Sequence, residues 1–321
     1  MDVFVSWRDI TYEQVDTAGT GGIGKVCVAM ATTGPNKGIL FAVKVFSPNS
    51  QEKQDWKQAF MREVHVLRDC NHPAIVRVFD EGVLADGRPF FVMEYLQKTL
   101  WEAMKSGSLK VTEKVSAVMQ LLSALDYLSR RDPYVVHRDI KPKNIFLKAG
   151  TCVLGDFGLV FQDVAPAVSG RPESAIPAMP QMYRTPELVE YQVTGKNPPP
   201  ASDVFQLGLV AAELFTGKNP LRHGGPNKPV QLDPLADLFG PIGPIGETIK
   251  ARLEEMIVIK TESRQPARFL LPRWLDLYRT VIRSQSPRVR EPVVSPGSER
   301  LPQIPTDEQA QSDEFAAGIY E

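Results

Sequence analysis

The sequence lacks a hydrophobic run long enough to cross a membrane. No stretch of about 18 uncharged apolar residues occurs in the chain. Residues 1–4 also lack the basic region and the apolar run with which a signal peptide begins. We therefore expect a protein with no membrane span.

Cysteine is scarce in this chain. The three cysteines, Cys27, Cys70 and Cys152, are odd in number and show no Cys-x-x-Cys spacing. This argues against a disulfide framework and against a zinc site, because both need paired cysteines. The pattern favours a reducing compartment, and we expect the protein to be cytoplasmic.

An excess of charge of one sign is also missing. Lys and Arg total 37 against 38 for Asp and Glu, so no overall field would draw the chain to nucleic acid or to an anionic membrane. We expect no nucleic-acid partner. The hydrophobic content of 43% in 321 residues is enough for one two-lobed domain or two small domains.

The first 95 residues predict a small sheet with one helix. Runs of β-branched and aromatic residues bounded by turn residues predict strands over 10–16, 26–30, 40–46, 75–79 and 89–93. Between the third and fourth strands an apolar repeat of four, four and three residues predicts a helix. Its apolar positions are Trp56, Phe60, Val64 and Leu67.

After residue 95 the pattern becomes helical. Apolar stripes predict helices over 115–128, 204–215, 235–256 and 269–282. Residues 285–321 contain five prolines, many charges and few large apolar side chains, which predicts a disordered tail. We therefore predict an α+β protein with three parts: 1–95, 96–284 and 285–321.

The most informative feature is a pair of motifs at residues 137–144 (His-Arg-Asp-Ile-Lys-Pro-Lys-Asn) and 156–158 (Asp-Phe-Gly). A carboxylate and an amide five residues apart, followed by a second carboxylate before a glycine, can orient a hydroxyl nucleophile and hold Mg²⁺ on a nucleoside triphosphate. Either short motif alone could occur by chance, but their order and spacing make the combination specific. The chain resembles the eukaryotic-like serine/threonine protein kinase family over residues 10–283.

The resemblance implies a bilobal kinase fold, with a small β-rich lobe and a larger helical lobe. It also implies transfer of the γ-phosphate of ATP to Ser or Thr hydroxyls of a protein substrate, with Mg²⁺. Asp139 would orient the hydroxyl, Lys141 would stabilise the γ-phosphate, and Lys44 would bind the α- and β-phosphates. Asn144 and Asp156 would bind Mg²⁺. Lys141 is typical of the Ser/Thr class. The oligomeric state is left open.

Lys44 lies in the third predicted strand, where the period of two places Ala42 on the same face. The resemblance implies that Glu63, 19 residues later on the helix, pairs with Lys44. The alternative is that Glu63 is a solvated helix charge beside Arg62.

Residues 19–26 match G-x-G-x-x-G-x-V, a loop whose backbone can approach phosphates. The β-branched run that follows favours a hairpin over a dinucleotide-binding turn, and an ordinary glycine turn is the other alternative. The resemblance implies that the connection after the fifth strand and several apolar side chains hold the adenine, although such residues can be plain core. The predicted nucleotide-binding residues, besides Lys44 and Glu63, are Gly19, Thr20, Gly21, Gly22, Ile23, Gly24, Val26, Ala42, Met93, Glu94, Leu96 and Phe146.

The resemblance gives structural roles to five further residues. Asp203 would cap the backbone of the catalytic loop, Arg264 would pair with Glu187, and His137 would pack beneath Phe157 rather than act as a base.

The chain departs from the family pattern at Pro180, where a Thr hydroxyl is usual, and at Thr185, where Ala is usual. Proline offers no hydroxyl, which leaves a pseudokinase scaffold open as one alternative. Another alternative is a small-molecule phosphotransferase of kinase-like fold, which shares the Asp-x-x-x-x-Asn spacing but typically lacks this glycine loop. Arg138 suggests a phosphate on Ser169 or Ser174. The tail is either a regulatory segment or an inert spacer.

Overall fold

A computed structural model of the chain describes residues 2–20, 24–47, 53–162, 181–222, 229–240 and 243–285. These residues belong to a unit that spans Met1–Gln285. The predictions for the tail, for Pro180 and for the two serines concern residues that lie outside these ranges.

A six-stranded antiparallel sheet forms the amino-terminal part, in the order β1-β2-β3-β4-β6-β5. The strands are β1 Val3–Val5, β2 Thr11–Thr20, β3 Gly24–Ala31, β4 Leu40–Phe46, β5 Val78–Val83 and β6 Pro89–Glu94. One helix, α1 Lys53–Arg68, lies between β4 and β5, as its apolar repeat predicts. The predicted hairpin of β2 and β3 is confirmed, because Gly19 pairs with Val26.

The predicted strand over 75–79 is wrong in its position. The strand begins at Val78, while Ile75 makes only a single parallel bridge with Leu154. The Val76 N–H donates to the Leu154 carbonyl at 2.9 Å. Ile75 and Val76 are buried apolar residues of a connecting loop, and a short apolar run does not distinguish such a loop from a strand.

Strand β1 was not predicted, because three residues are too few for a periodic signal. Phe4 is buried and packs against Phe90, with ring centroids 5.4 Å apart. Just after β1, the Trp7 N–H donates to the Glu81 carbonyl at 3.0 Å. The amino-terminal segment therefore contacts both edge regions of the sheet, through β2 and through β5.

The sheet separates two apolar layers. Val43 and Val45 of β4 belong to a cluster with Phe4 and Phe90, on the face away from α1. Phe46, of opposite parity, joins the larger core that includes α1. Lys44 and Ala42 share the parity of Phe46, which agrees with the alternation expected of a strand.

The carboxyl-terminal part is mainly helical. Its helices are α2 Leu100–Lys105, α3 Val111–Ser129, α4 Pro186–Thr194, α5 Ala201–Thr216, α6 Leu235–Phe239, α7 Pro244–Met256 and α8 Ala267–Gln285. The apolar stripe of α3 is buried and α5 is buried on nearly all sides, as predicted. The stretches 235–256 and 269–282 predict two or three helices, and three are present, because the chain leaves the helical conformation between α6 and α7 at Gly240 (φ 62°).

Five short strands in this part were not predicted: β7 Lys98–Thr99, β8 Val135–Val136, β9 Ile145–Lys148, β10 Thr151–Leu154 and β11 Phe161–Gln162. Strands β8 and β9 flank the first motif, and the second motif follows β10. None of the helices in the described ranges combines the length and the apolar character needed to cross a membrane. The curled antiparallel sheet and the helical part confirm the predicted α+β, bilobal kinase-like fold.

Candidate active site

The loop between β8 and β9 brings three polar side chains of the first motif together. The Asp139 carboxylate accepts hydrogen bonds from Lys141 Nζ at 2.8 Å and from Asn144 Nδ2 at 2.9 Å. The Asn144 amide also donates to the Asp139 backbone carbonyl at 2.9 Å. Asp139, Lys141 and Asn144 thus form a local cluster around one carboxylate, which we call the acceptor cluster.

Helix α5 holds this loop through two buried side chains. The Asp203 carboxylate accepts from the N–H groups of His137 at 2.7 Å and Arg138 at 2.9 Å, which confirms its predicted capping role. Gln206 accepts from the Ile140 N–H at 2.9 Å and donates to the Arg138 carbonyl at 3.1 Å. Gln206 was not among the predicted residues. Its position three residues after Asp203, on the same helix face, was the available signal.

A second cluster joins three distant parts of the chain. Lys44 Nζ of β4 lies 2.7 and 2.8 Å from the two carboxylate oxygens of Glu63 on α1. It lies 2.9 Å from Asp156 Oδ1 in the segment after β10. Glu63 is only 1% exposed. The alternative of a solvated surface charge at Glu63 is therefore wrong, and we call these three residues the lysine cluster.

Burial and charge oppose each other in the lysine cluster. Burial alone would lower the pKa of Lys44, but the carboxylates of Asp156 and Glu63 more than offset it and raise that pKa. Burial raises the pKa of Glu63, although the Lys44 charge reduces the shift. The Lys44 charge lowers the pKa of Asp156 to about 2. Asp156 thus stays ionised at neutral pH while its side chain is 48% exposed.

In the acceptor cluster, burial raises the pKa of Asp139 to about 6, and the Lys141 charge limits the shift. Asp139 is therefore an ionised carboxylate with raised basicity near neutral pH. Burial lowers the pKa of His137 to about 4, which keeps the imidazole neutral. The His137 ring packs against Phe157, with centroids 4.5 Å apart, as predicted.

Two non-glycine residues at the site have left-handed backbone conformations. Arg138 has φ 67° and Asp156 has φ 55°. This region is unfavourable for side chains with a Cβ, and such residues are often found at functional sites. The surrounding contacts must therefore stabilise these conformations, and Asp203 does so directly at Arg138.

The glycine loop is described only at its ends. Gly19 pairs with Val26, and Thr20 pairs with Lys25, at the end of the β2–β3 hairpin where the two strands are connected. Gly21, Gly22 and Ile23 lie outside the described residues. Packing requires a glycine at position 24, because a Cβ there would lie 2.6 Å from the Val45 carbonyl oxygen.

The predicted adenine-contacting residues lie on neighbouring strands. Ala42 of β4 pairs with Met93 of β6, and Val28 and Ala42 are partners across β3 and β4. Val26 pairs with Lys44 two residues further along the same ladder. Ala42 is buried and Met93 is half-buried. The strand pairing thus places Val26, Ala42 and Met93 around the position of Lys44.

Glu94 ends β6, and Leu96 lies in the connection that follows. The Glu94 N–H is bonded to the Arg77 carbonyl at 3.0 Å, and its carboxylate pairs with Lys148. Leu96 is half-buried against the main core. Phe146 of β9 faces Gly155, where an added Cβ would lie 2.9 Å from the Phe146 ring.

The second predicted ion pair is also present. Arg264 Nη1 lies 2.8 Å from Glu187 Oε1, and both side chains are buried. Thr185 caps α4 by accepting the Leu188 N–H at 3.1 Å. Its hydroxyl lies 2.7 Å from that of Ser202. The departure from Ala at Thr185 therefore adds a helix cap.

Comparison with known proteins places this geometry in a family. A family model described as "Protein kinase domain" matches residues 12–260. This chain belongs to the protein kinase family. Strand β1 precedes the matched range, whereas both clusters lie inside it.

Relatives of this chain occur in bacteria and in eukaryotes. It is 35% identical over 217 residues to the serine/threonine-protein kinase PknK of Mycobacterium bovis, covering 64% of this chain and 18% of that protein. It is 31% identical over 215 residues to cyclin-dependent kinase G1 of Arabidopsis thaliana, covering 65% and 33%. It is 30% identical over 220 residues to the probable serine/threonine-protein kinase PknB of Bifidobacterium longum, covering 65% and 30%. The matched segments thus span about a third or less of the length of these three relatives.

Proposed function

We propose that this protein is an active serine/threonine protein kinase, which transfers the γ-phosphate of ATP to Ser or Thr hydroxyls of a protein substrate. The observation that carries the proposal is the presence of two complete charged clusters, the lysine cluster and the acceptor cluster, in one kinase fold. The names of the relatives, which are serine/threonine and cyclin-dependent kinases, support the same class.

In the proposed mechanism Asp139 orients the acceptor hydroxyl and takes its proton. Its raised pKa, about 6, favours proton acceptance, while the carboxylate is still mostly ionised at neutral pH. Lys141, 2.8 Å from this carboxylate, carries the positive charge that would stabilise the transferred phosphoryl group.

We assign nucleotide binding to the lysine cluster. Glu63 fixes the Lys44 ammonium through two hydrogen bonds, so that Lys44 is prepositioned for the α- and β-phosphates. The glycine loop, with the predicted residues Gly19 to Gly24, would cover the phosphates. The adenine would contact Val26, Ala42, Met93 and Phe146 and the backbone of Glu94 and Leu96.

Two side chains fit a Mg²⁺ ion. Asp156 is ionised and half-exposed, and Asn144 uses its amide nitrogen on Asp139, which leaves its amide oxygen as the group to present to a cation. Such oxygens are typical Mg²⁺ ligands, and phosphate oxygens and water usually complete the coordination. A bound Mg²⁺ would neutralise charge on the phosphates.

The decisive experiment incubates the protein with γ-labelled ATP, with and without Mg²⁺. The acceptors are a generic protein, a Ser/Thr peptide and an aminoglycoside. We expect Mg²⁺-dependent label on Ser or Thr of the protein and peptide. Label on the aminoglycoside alone would indicate a small-molecule phosphotransferase, and ATP binding without any transfer would indicate a pseudokinase.

We also propose a cytoplasmic location. Cys27, Cys70 and Cys152 are free thiols, which suits a reducing compartment. Fluorescence microscopy of a tagged chain, with a membrane fraction as the comparison, would test this proposal.

A further inference from the structure

Two lysines and a tryptophan meet beside the acceptor cluster. Lys143 lies in the 3-10 turn Pro142–Asn144, directly before Asn144, and its side chain is exposed. Its Nζ lies 5.0 Å from the ring centroid of Trp101 on α2. Lys105, also on α2 and exposed, places its Nζ 3.8 Å from the same centroid. We call Trp101, Lys105 and Lys143 the lysine–tryptophan cluster.

Neither cation is neutralised by a carboxylate within the described ranges. The ion pairs found there involve neither Lys105 nor Lys143. The carboxylates close by in the sequence have other partners. Glu102 accepts the Thr99 N–H at 2.8 Å, and Glu94 pairs with Lys148. The cluster therefore presents two uncompensated positive charges to solvent.

The ring explains why the two cations stay together. Like charges repel each other, and the face of an indole ring attracts a cation placed over it. A negatively charged group near the ring would be attracted by both ammonium groups. An anion is thus the chemical complement that this part of the surface lacks.

The position of Lys143 links this surface to the proposed reaction. Asn144, its neighbour, donates to the Asp139 carboxylate at 2.9 Å, so the cluster flanks the group that would receive the hydroxyl proton. A bound acceptor peptide must pass over Asp139. Its residues next to the phosphorylated Ser or Thr would then lie near Lys143.

We propose that the lysine–tryptophan cluster binds an anionic side chain of the acceptor protein, close in sequence to the phosphorylated residue. This inference rests on the proposed kinase function and specifies its substrate class. The anion can be a carboxylate or a phosphoryl group, since both carry the charge that two ammonium groups attract.

The test uses a set of Ser peptides with a neutral background, in which Asp, Lys or phosphoserine is placed at each flanking position. At the responsive position we expect Asp to lower KM about 3- to 10-fold relative to Ala, as two partly exposed ion pairs would. Lys should raise KM there. The preference should weaken at high salt, because exposed charges are screened. A lower KM for phosphoserine than for Asp would identify phosphorylated acceptors as the preferred source.

Charge reversal tests the residues. The double variant Lys105→Glu and Lys143→Glu should reverse the preference between Asp and Lys peptides. Lys37→Glu changes an exposed lysine in the β3–β4 turn and should keep the wild-type preference. If the double reversal does not fold, the Lys105→Gln and Lys143→Gln variant should abolish the preference instead.

A binding measurement separates this inference from the proposed function. Titration of the same peptides into the Asp139→Asn variant needs no phosphate transfer. Tighter binding of anionic peptides, lost in the charge-reversed background, would support the cluster even if the protein transferred no phosphate. Equal affinity for Asp, Ala and Lys peptides, or an unchanged preference in the double variant, would overturn the inference.

Discussion

The two charged clusters of this protein are built in opposite ways. The acceptor cluster comes from six consecutive residues, Asp139 to Asn144, and Lys141 within it is 27% exposed. The lysine cluster joins residues 19 and 112 positions apart, and the side chains of Lys44 and Glu63 are almost fully buried. The first cluster therefore depends on local loop geometry, and the second depends on how β4, α1 and the segment after β10 come together.

The difference also divides the electrostatics. Burial raises the pKa of Asp139 to about 6, while the Lys44 charge lowers that of Asp156 to about 2. The Asp139 carboxylate is therefore the more basic of the two, while Asp156 is ionised at neutral pH. This is the division of roles that proton acceptance and metal binding require.

The largest expected effect comes from removing either carboxylate. We expect Asp139→Ala and Asp156→Ala each to lower the rate of phosphate transfer at least about 10³-fold, because each removes one part of a preorganised site. Transfer of labelled phosphate with Mg²⁺ present and absent would measure this. Circular dichroism should show the wild-type fold in both variants, and near-wild-type transfer by either would contradict the assignment.

A matched pair of Lys→Ala variants compares the clusters in stability. Lys44→Ala leaves Glu63 buried without its partner, which we expect to lower the free energy of unfolding by about 3–5 kcal/mol. Lys141→Ala breaks a partly exposed pair and should cost about 1 kcal/mol or less. Urea unfolding would measure both. Equal losses would show that the lysine cluster is not the more buried network that its geometry indicates.

The support of the acceptor cluster by α5 can be tested at Gln206. Gln206→Ala leaves the buried Ile140 N–H without its acceptor, so we expect the free energy of unfolding to fall by about 1–3 kcal/mol. The turnover number should fall as well, because the loop that carries Asp139 loses an anchor. Gln231→Ala, at an exposed glutamine, is the control. If Gln206→Ala changes stability and turnover no more than the control does, Gln206 does not anchor the loop and Asp203 alone does.

The pH dependence follows from the Asp139 carboxylate. Protonation through its pKa of about 6 removes the proton acceptor, so activity should be present above this pH and fall about tenfold per unit below it. Asp156, with a pKa of about 2, should add no inflection in this range. A kcat/KM profile from pH 5 to 8 would show this, with nucleotide binding measured in parallel as the control. A flat profile would contradict proton acceptance by Asp139.

The sequence predicts the acceptor cluster well because its parts are adjacent in the chain. It also predicts the Lys44–Glu63 pair, but only through the family resemblance, since periodicity alone leaves Glu63 open as a surface charge. Gln206 and strand β1 were missed for different physical reasons. The only signal for the buried Gln206 is its spacing of three residues from Asp203, and a three-residue strand gives no periodic pattern. The boundary of β5 was wrong because buried loop residues resemble strand residues.

The central claim is that the lysine cluster binds the nucleotide and that the acceptor cluster orients the acceptor hydroxyl. The most direct test is equilibrium binding of ATP with Mg²⁺ to Asp139→Ala and Asp156→Ala, measured by calorimetry beside the wild type. We expect Asp139→Ala to keep the wild-type dissociation constant. Asp156→Ala should bind at least about tenfold more weakly, as loss of a charged ligand group would cause. Equal dissociation constants in the two variants would contradict this division of roles.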